Sequence, residues 1–298
     1  DFDFDALVKE IKKVKKPARK LKTKENGSMV VCLSDWQMGK RDGDGTEGIV
    51  KRITQMIPDV LDRVKELRKA GNPINKLYVF GLGDLVEGCG DHYAMQNFSV
   101  ELDQRRQEMV ARRLLVKALK EWAPEFDKVV VVCVPGNHGE NRKNGKAFTN
   151  WGDNMDVSIF DHAQEILAEN KAFKHVSFVI PDNELYLTLD IDGVILGAAH
   201  GHQFRTGGKY SHQKAVAWLS GQAFGKTDAG DVDILLSGHY HHLFVINEGQ
   251  RTLMQAPSVD GGSEWFESLS GKNSFSGTLT FTVKNEDNKL PWDNMQVL

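Results

Sequence analysis

The feature that most constrains the fold is an unbroken apolar run, Val129–Val134, which stops at Pro135 and Gly136. A run of this length, rich in β-branched residues, predicts a strand whose two faces are both covered, as in the middle of a sheet. Two polar residues, Asn137 and His138, follow directly. In open α/β sheets, ligands bind beyond the carboxyl ends of the strands. The run therefore predicts a buried central strand with a functional pair at its end.

Four other apolar runs end in the same way, each stopped by glycine or another small residue. The polar residues that follow are Asp35 with Gln37, Asp84 with Glu87, His200 with His202, and His239 with His241. One polar strand end is an ordinary turn, but five ends that carry metal-ligand residue types are hard to explain that way. Carboxylate, amide and imidazole groups suit manganese, iron or zinc. The sequence therefore predicts a metal site where these strands end.

Length and composition limit the class of protein. A chain of 298 residues can bury a large core, and 40% hydrophobic with 27% charged residues is ordinary for a globular protein. The net charge of −3 provides no overall field that would recruit nucleic acid or a membrane. Three cysteines argue against a disulfide framework and suit a reducing compartment, so we expect a cytoplasmic protein without a membrane span.

The order of the predicted elements indicates two sheets. Helical spacing of apolar residues predicts helices at about 46–69, 99–122, 153–169 and 211–224, with strands between them. We expect Pro58 to kink or split the first helix. The order β-α-β-α-β-α, followed by hairpins and β-α-β, suits two mixed sheets that pack face to face with helices outside.

Three segments are predicted along the chain: a basic linker or arm at 1–28, one domain at 29–284, and a polar tail at 285–298 that we expect to be loose. Nine lysines and arginines fall between Lys9 and Lys24. This basic run is either a solvated linker or an arm that contacts phosphates without sequence preference, and the sequence leaves both interpretations open.

Taken in order, the polar strand ends resemble a known family. The motifs are Asp-x-Gln at 35–37, Gly-Asp-x-x-Glu at 83–87, Gly-Asn-His at 136–138, His-Gly-His at 200–202 and Gly-His-x-His at 238–241. They are similar to those of the calcineurin-like metallophosphoesterases over about residues 29–260. This family includes protein phosphatases, cyclic-nucleotide phosphodiesterases and a repair nuclease. The resemblance implies an α/β fold, a four-layer α/β/β/α sandwich of two mixed sheets with a dinuclear metal site at their common edge.

The stretches around Asp35 and Asp84 look most like the family members encoded by bacteriophages of actinobacteria. That narrower resemblance implies a location in the host cytoplasm.

The resemblance also implies a set of metal ligands. The first metal would be bound by Asp35, Gln37, Asp84 and His241, and the second by Asp84, Asn137, His200 and His239. Both would be divalent ions, with Mn²⁺ expected and Fe, Zn or Mg as alternatives. A metal-bridging hydroxide would attack phosphorus. His138 would protonate the leaving oxygen, and Glu87 would hydrogen-bond His138 and hold it charged.

Two positions depart from the family pattern. Gln37 replaces the usual histidine of the first motif, and Gly139 separates the third motif from Glu140. An amide oxygen is a weaker and harder ligand than imidazole. We therefore expect the first metal to bind less tightly, and manganese or magnesium to compete better against zinc.

The substrate is predicted less closely than the metal site. Candidate substrate-binding residues are Asn137, His92, Tyr93, His202 and Arg205. Arg205, Lys40 and Arg41 are also candidates for contact with a second phosphate. The expected activity is hydrolysis of nucleotide or nucleic-acid phosphodiesters. A phosphomonoesterase and a catalytically weak, metal-containing binding module are the alternatives, and the oligomeric state is left open.

Overall fold

The computed structural model describes residues 27–90, 92–93, 96–262, 275–286 and 289–298, so most of the predicted basic arm lies outside the described residues. The helices are α1 (Gly45–Lys69), α2 (Gln104–Trp122), α3 (Met155–Ala168) and α4 (Ser211–Gly225). The strands are β1 (Gly27–Leu33), β2 (Ile74–Gly81), β3 (Lys128–Cys133), β4 (Arg142–Lys143), β5 (Lys146–Ala147), β6 (Val176–Val179), β7 (Tyr186–Ile191), β8 (Val194–Ala199), β9 (Ile234–Ser237), β10 (Phe244–Glu248), β11 (Arg251–Gln255), β12 (Leu279–Val283) and β13 (Trp292–Val297). No helix among these residues is long and apolar enough to cross a membrane.

Two mixed sheets form the centre of the molecule. The first has six strands in the order β13-β12-β1-β2-β3-β6, and the second has five in the order β10-β11-β9-β8-β7. Strands β1, β2, β3 and β6 are parallel, and so are β8, β9 and β11. The carboxyl ends of β1, β2 and β3 therefore meet at one edge of the first sheet.

The first sheet is covered on both faces, as the apolar runs predict. Alternate residues of β1 show this: Val31 packs in the cluster that includes α1, α2 and α3, whereas Val30 packs in the cluster shared with the second sheet. On the outer face of the second sheet, Leu219 of α4 packs with Leu235 and Leu253. The layers are thus helix, sheet, sheet and helix, and the predicted four-layer sandwich is confirmed.

Two helices differ from their predicted form. The first is not split at Pro58, because α1 runs continuously through this exposed position, and the alternative of a kink stays a prediction. Ile57 and Val60 on either side are fully buried, and their packing outweighs the lost backbone hydrogen bond. The second helix begins at Gln104 rather than near 99, because the Asp103 side chain accepts the Arg106 N–H as an N-cap at 2.9 Å.

The end of the chain is more ordered than its polarity indicates. β13 pairs antiparallel with β12 and forms an edge of the first sheet. Trp292, Met295 and Val297 pack against the core between the sheets, which fixes a segment that we expected to be loose.

Candidate metal centre

The backbone is in an unusual conformation at the predicted ligands. Among the described residues, nine non-glycine residues have a positive φ, and five of them are predicted metal ligands: Asp35 (50°), Gln37 (43°), Asp84 (54°), His239 (72°) and His241 (58°). A non-glycine residue in this region is strained by about 1–3 kcal/mol and persists only where its surroundings hold it. Such strain clusters at functional sites, so it marks this edge of the sheets as a candidate functional site.

Close backbone contacts bring the loops after β1, β2 and β3 together. The Asp35 N–H donates to the Gly83 carbonyl at 3.1 Å, and the Gln37 N–H donates to the Asp84 carbonyl at 2.9 Å. A Cβ on Gly136 would lie only 2.2 Å from the Asp84 backbone nitrogen, so glycine is required there for the loops to approach. The short motifs therefore meet because their glycines allow backbone contact.

The predicted second-metal ligands converge on one point. One ligand atom from each of Asp84, His200 and His239 lies within 4.8 Å of the other two, and this is the one group of three His, Cys, Asp or Glu side chains that does so in the described part of the chain. His200 Nε2 lies 2.9 Å from Asp84 Oδ2. Within the described residues neither atom has another hydrogen-bond partner, so this short contact has the form of two ligands that face the same ion.

The tautomer of His200 is fixed by the backbone. Its Nδ1–H donates to the Leu82 carbonyl at 2.6 Å, which turns Nε2 toward Asp84. Burial alone would lower the pKa of His200, but the carboxylates of Asp84 and Asp35 raise it to about 9. For His239, burial and the neighbouring His200 lower the pKa to about 3, so this imidazole is neutral and can offer a lone pair.

The predicted first-metal ligands form a second set beside Asp84. His241 Nε2 lies 3.4 Å from Asp35 Oδ1, and Asp35 also accepts the His239 N–H at 3.0 Å. Behind His241, its Nδ1 lies 3.5 Å from Asp260 Oδ2, and Lys40 Nζ forms an ion pair with the same carboxylate. A carboxylate behind a ligating histidine orients the ring and raises its basicity.

The two predicted amide ligands, Gln37 and Asn137, are oriented by their nitrogen atoms. The Asn137 Nδ2 donates to His92 Nε2 at 3.1 Å, while Gln37 Nε2 lies 3.5 Å from His138 Nε2. Gln37 Oε1 and Asn137 Oδ1 are buried and have no hydrogen-bond partner among the described residues. Each amide thus presents its oxygen, which is the atom that binds a hard divalent ion.

The donor set fits a divalent metal. Four predicted ligand atoms are buried without a hydrogen-bond partner among the described residues: Gln37 Oε1, Asp84 Oδ2, Asn137 Oδ1 and His200 Nε2. A buried polar atom left unpaired costs about 1–3 kcal/mol, and such atoms are rare in folded proteins. Four of them at one sheet edge are explained by cations that they would bind.

His138 lies at the mouth of this group. Its backbone N–H donates to Asp84 Oδ1 at 2.8 Å, and its ring Nδ1–H donates to the Glu87 carbonyl oxygen at 2.8 Å. The Glu87 carboxylate is farther away, with Oε2 at 3.6 Å from Nδ1. His138 therefore donates its hydrogen bond to the Glu87 backbone, and the predicted role of the Glu87 carboxylate stays a prediction. Burial raises the pKa of Glu87, against the effects of His138 and Tyr93.

Of the predicted substrate contacts, two lie beside His138. The rings of His92 and His138 have centroids 4.3 Å apart. The Tyr93 hydroxyl, on a side chain 41% exposed, donates to Glu87 Oε1 at 2.8 Å. These residues thus also support the ligand Asn137 and the carboxylate of Glu87, a function the sequence did not indicate.

The remaining candidates lie on two other sides. His202 and the exposed Arg205 line a cavity next to His200. Lys40 and Arg41 are engaged elsewhere, since Lys40 pairs with Asp260 and Arg41 donates to the carbonyls of Phe98 and Val100.

Sequence reasoning missed two buried acids. Asp156, in the first turn of α3, accepts the backbone N–H groups of Asp84 (2.9 Å), Leu85 (2.8 Å) and Gly136 (3.0 Å). Its carboxylate joins the end of β2 to the end of β3 directly beneath the site. Asp260 is the second, and its turn is tied to the site by Ser258, whose hydroxyl donates to the Asp35 carbonyl at 2.8 Å.

The calcineurin-like phosphoesterase family matches residues 29–243. A search of curated proteins gives no match.

Solved structures that resemble the chain include an archaeal phosphodiesterase, 12% identical, which covers 91% of this chain and 99% of its own with a TM-score of 0.39. The zinc complex of Vps29 from Entamoeba histolytica is 14% identical, covers 90% and 98%, and has a TM-score of 0.39. A predicted phosphoesterase from Streptococcus pneumoniae is 14% identical, covers 88% and 84%, and has a TM-score of 0.36. At these identities the likeness concerns the fold alone.

Proposed function

Because this chain belongs to the calcineurin-like phosphoesterase family, we propose that it is a phosphodiesterase that hydrolyses nucleotide or nucleic-acid phosphodiesters. The family makes it a metal-dependent phosphoesterase, a hydrolase. The observation that carries the proposal is the group of four unpaired, buried ligand atoms beside an available acid, His138.

The residues that would hold the metals are those that converge at the sheet edge. Asp84 would serve both ions, with Asn137, His200 and His239 on one side and Asp35, Gln37 and His241 on the other. Bound there, two divalent cations would supply positive charge that activates water as a nucleophile and offsets the charge on the phosphoryl oxygens. The harder oxygen of Gln37 favours manganese or magnesium at the first position.

The chain's own contribution is to place an acid, His138, beside the metal ligands. In hydrolysis, the phosphorus–oxygen bond to the leaving alcohol breaks and a bond to the oxygen of water forms. His138 Nε2 lies on the side of the ring that faces Gln37 and Asp84, 4.0 Å from Asp84 Oδ2. Because Nδ1–H is held by the Glu87 carbonyl, Nε2 is the ring nitrogen left to pass a proton to the leaving oxygen.

The proton that His138 can pass on suits a substrate whose leaving group is an alcohol. The leaving alkoxide of a nucleoside is strongly basic, so a positioned acid lowers its barrier by a large factor. The charges around the site also allow for an extended substrate, because the exposed Arg205 lies beyond His202 on one side.

A substrate panel tests the proposal. Protein loaded with manganese is given bis-p-nitrophenyl phosphate, p-nitrophenyl phosphate, cyclic nucleotides, and single- and double-stranded DNA. Faster turnover of the diester, together with hydrolysis of a nucleotide or of DNA, supports the proposal. Which of these two is hydrolysed decides between a nucleotide and a nucleic-acid substrate. Faster turnover of the monoester makes the protein a phosphomonoesterase, and bound metal without turnover makes it a binding module.

Two finer proposals rest on sequence alone. The resemblance around Asp35 and Asp84 supports a bacteriophage origin and thus the cytoplasm of a host. The thiols of Cys32 and Cys133 are buried and free, as a reducing compartment allows. The proposed contact of the basic run with phosphates concerns residues outside those described.

A further inference from the structure

A cavity of about 480 Å³ opens beside the metal centre. One wall is the β4–β5 hairpin with Arg142 and Lys146, followed by Trp151, and the opposite wall is the loop after β8 with His202 and Arg205. This volume lies in the range of cavities that hold small-molecule ligands.

His202 connects the cavity to the predicted metal ligands. The ring of His202, which lines it, lies 5.5 Å from the ring of His200 and 6.3 Å from that of His239, measured between centroids. His202 Nδ1 is buried and has no hydrogen-bond partner among the described residues. A group that extends from a phosphate at the metal centre would therefore enter this cavity past the ring of His202.

The cavity concentrates positive charge on a chain whose net charge is −3. Arg142 is paired with Glu140 at 2.5 Å and also donates to the Gly145 carbonyl at 3.0 Å. Lys146 and Arg205, by contrast, form no ion pair within the described residues. Two cations without a carboxylate partner at the mouth of a concave site attract an anion, and here that anion would be a second phosphate.

Trp151 provides a fixed aromatic surface in the same cavity. Its side chain is 48% exposed, although tryptophan is usually well buried. Its backbone N–H donates to Asn183 Oδ1 at 2.9 Å, and a Cβ on the next residue, Gly152, would lie 1.9 Å from the Asp182 carbonyl oxygen. The loop is therefore closely packed, and an exposed indole on a rigid loop is a platform on which a base can stack.

The hairpin that carries the cations is also well defined. Asn144 and Gly145 at its tip have φ angles of 52° and 73°, as a two-residue type I′ turn requires. At its base, the Asn141 side chain donates to the Asp153 carbonyl at 3.2 Å, and Glu140 forms a β-bridge with Asn154. The hairpin is thus anchored to the segment that leads into Asp156, beneath the metal centre.

We propose that this cavity binds the part of the substrate beyond the phosphodiester that is cleaved, and that this part is a nucleoside with a second phosphate. Its base stacks on Trp151, and its phosphate lies between Lys146 and Arg205. The inference rests on the proposed function and narrows it from phosphodiesters in general to substrates with at least two phosphates and a base. A short nucleotide and the end of a nucleic-acid strand share this chemistry.

The test compares three diesters by kcat/KM with manganese-loaded protein. Bis-p-nitrophenyl phosphate has no base. An unphosphorylated dinucleotide has bases and one phosphate, and a 5′-phosphorylated dinucleotide has bases and a second phosphate. We expect the last to be preferred. Trp151→Ala should lower the preference for both dinucleotides over bis-p-nitrophenyl phosphate about tenfold, a typical effect of losing one base stack. Lys146→Glu should selectively lower the preference for the 5′-phosphorylated dinucleotide, and added salt should weaken it in the wild type.

Two matched substitutions serve as controls. Lys171→Glu makes the same charge change at an exposed lysine in the turn before β6, and Phe224→Ala removes an aromatic ring that is 89% exposed on α4. Both should leave the substrate ratios unchanged. A short single-stranded oligonucleotide in the same assay distinguishes a short nucleotide from the end of a nucleic-acid strand. If the natural substrate is a strand end, the kcat/KM for the oligonucleotide should equal or exceed that for the 5′-phosphorylated dinucleotide.

The outcomes separate this inference from the proposed function. If the protein hydrolyses all three diesters and the ratios are the same in Trp151→Ala and Lys146→Glu, the cavity assignment is wrong and the phosphodiesterase stands. If nothing is hydrolysed, the proposed phosphodiesterase activity is wrong. Calorimetric binding of the 5′-phosphorylated dinucleotide then still tests whether the cavity binds the nucleoside and the second phosphate. About tenfold weaker binding in either variant, in a manganese-loaded His138→Ala background, supports the cavity, and equal binding overturns it.

Discussion

His200 Nε2 and Asp84 Oδ2 face each other at 2.9 Å, both buried and, among the described residues, without any other hydrogen-bond partner. The Leu82 carbonyl holds the other ring nitrogen of His200, so this orientation does not depend on a bound ion. The protein thus presents one metal position before the metal arrives, and the ion would replace a proton there.

Metal binding should therefore release a proton. Asp84 and Asp35 raise the pKa of His200 to about 9 against the opposing effect of burial, so the ring is protonated at pH 7 in the metal-free protein. The second metal needs the neutral ring of His200, so the affinity of that position should rise about tenfold per pH unit from pH 6 to 8 and level off above about 9. Calorimetry in two buffers of different ionisation enthalpy measures the protons released, and binding of manganese without proton release would contradict the assignment.

Asp260→Asn should weaken the first metal. Asp260 faces His241 Nδ1 at 3.5 Å and is paired with Lys40, so the substitution removes the charge that orients the ligand. We expect an affinity about 10- to 100-fold lower for one of two metals, with the other unchanged. A titration of metal-free protein with manganese, followed by paramagnetic resonance, measures both sites. Asp293→Asn, which breaks the exposed pair with Lys284, is the control and should leave both affinities as they are.

Asp156→Asn should destabilise the fold as well as the site. The carboxylate accepts three buried backbone N–H groups, and an amide has only one oxygen to accept them. We expect the free energy of unfolding to fall by about 2–5 kcal/mol. The measurement belongs at pH 8, above the pKa of about 6 to which burial and Asp84 raise this carboxyl, so that the wild type is ionised. Asp161→Asn, on the exposed side of the same helix, should change stability by less than about 0.5 kcal/mol.

His138→Ala should slow hydrolysis according to the leaving group. An acid matters most when the departing alkoxide is a strong base, so we expect a loss of about 10²- to 10⁴-fold in kcat for a nucleotide diester. The loss should be much smaller for bis-p-nitrophenyl phosphate, whose leaving group is a weak base. Steady-state kinetics on both substrates, with metal content measured in parallel, make the comparison. Equal losses on the two substrates would mean that His138 is not the acid, and His162→Ala on the surface of α3 is the control.

The sequence predicted those parts of the site that follow directly from strand ends. The apolar runs before Asp35, Asp84 and Asn137 mark buried strands, and parallel strands bring their ends to one edge whatever the details of packing. The left-handed backbone at Asp35 and Asp84 and the free oxygen of Gln37 were not predictable, because they depend on contacts between loops distant in the chain.

The buried acids were missed for a similar reason. An aspartate in the first turn of a helix usually interacts with its own helix end, which is the common interpretation of Asp156. Its actual partners lie on β2 and β3, and only the packing of α3 against those strands brings them within reach. Asp260 follows no strong motif, and nothing nearby in the sequence indicates that it lies behind His241.

The final strand, β13, was not predicted because its pairing with β12 is irregular. The register of β12 with β13 shifts between Thr280 and Thr282, and Asn294 has a φ of 53°. The extra residue places Trp292, Met295 and Val297 on the core side at spacings of three and two, which breaks the strict alternation expected of a strand. The segment therefore reads as a polar tail.

The most direct test of the account is to strip the protein of metal and titrate it with manganese while hydrolysis of bis-p-nitrophenyl phosphate is followed. We predict that activity returns as two ions bind per chain, and that the matching monoester is hydrolysed more slowly. Two bound ions with no hydrolysis of the diester would contradict the account and leave a metal-containing binding module.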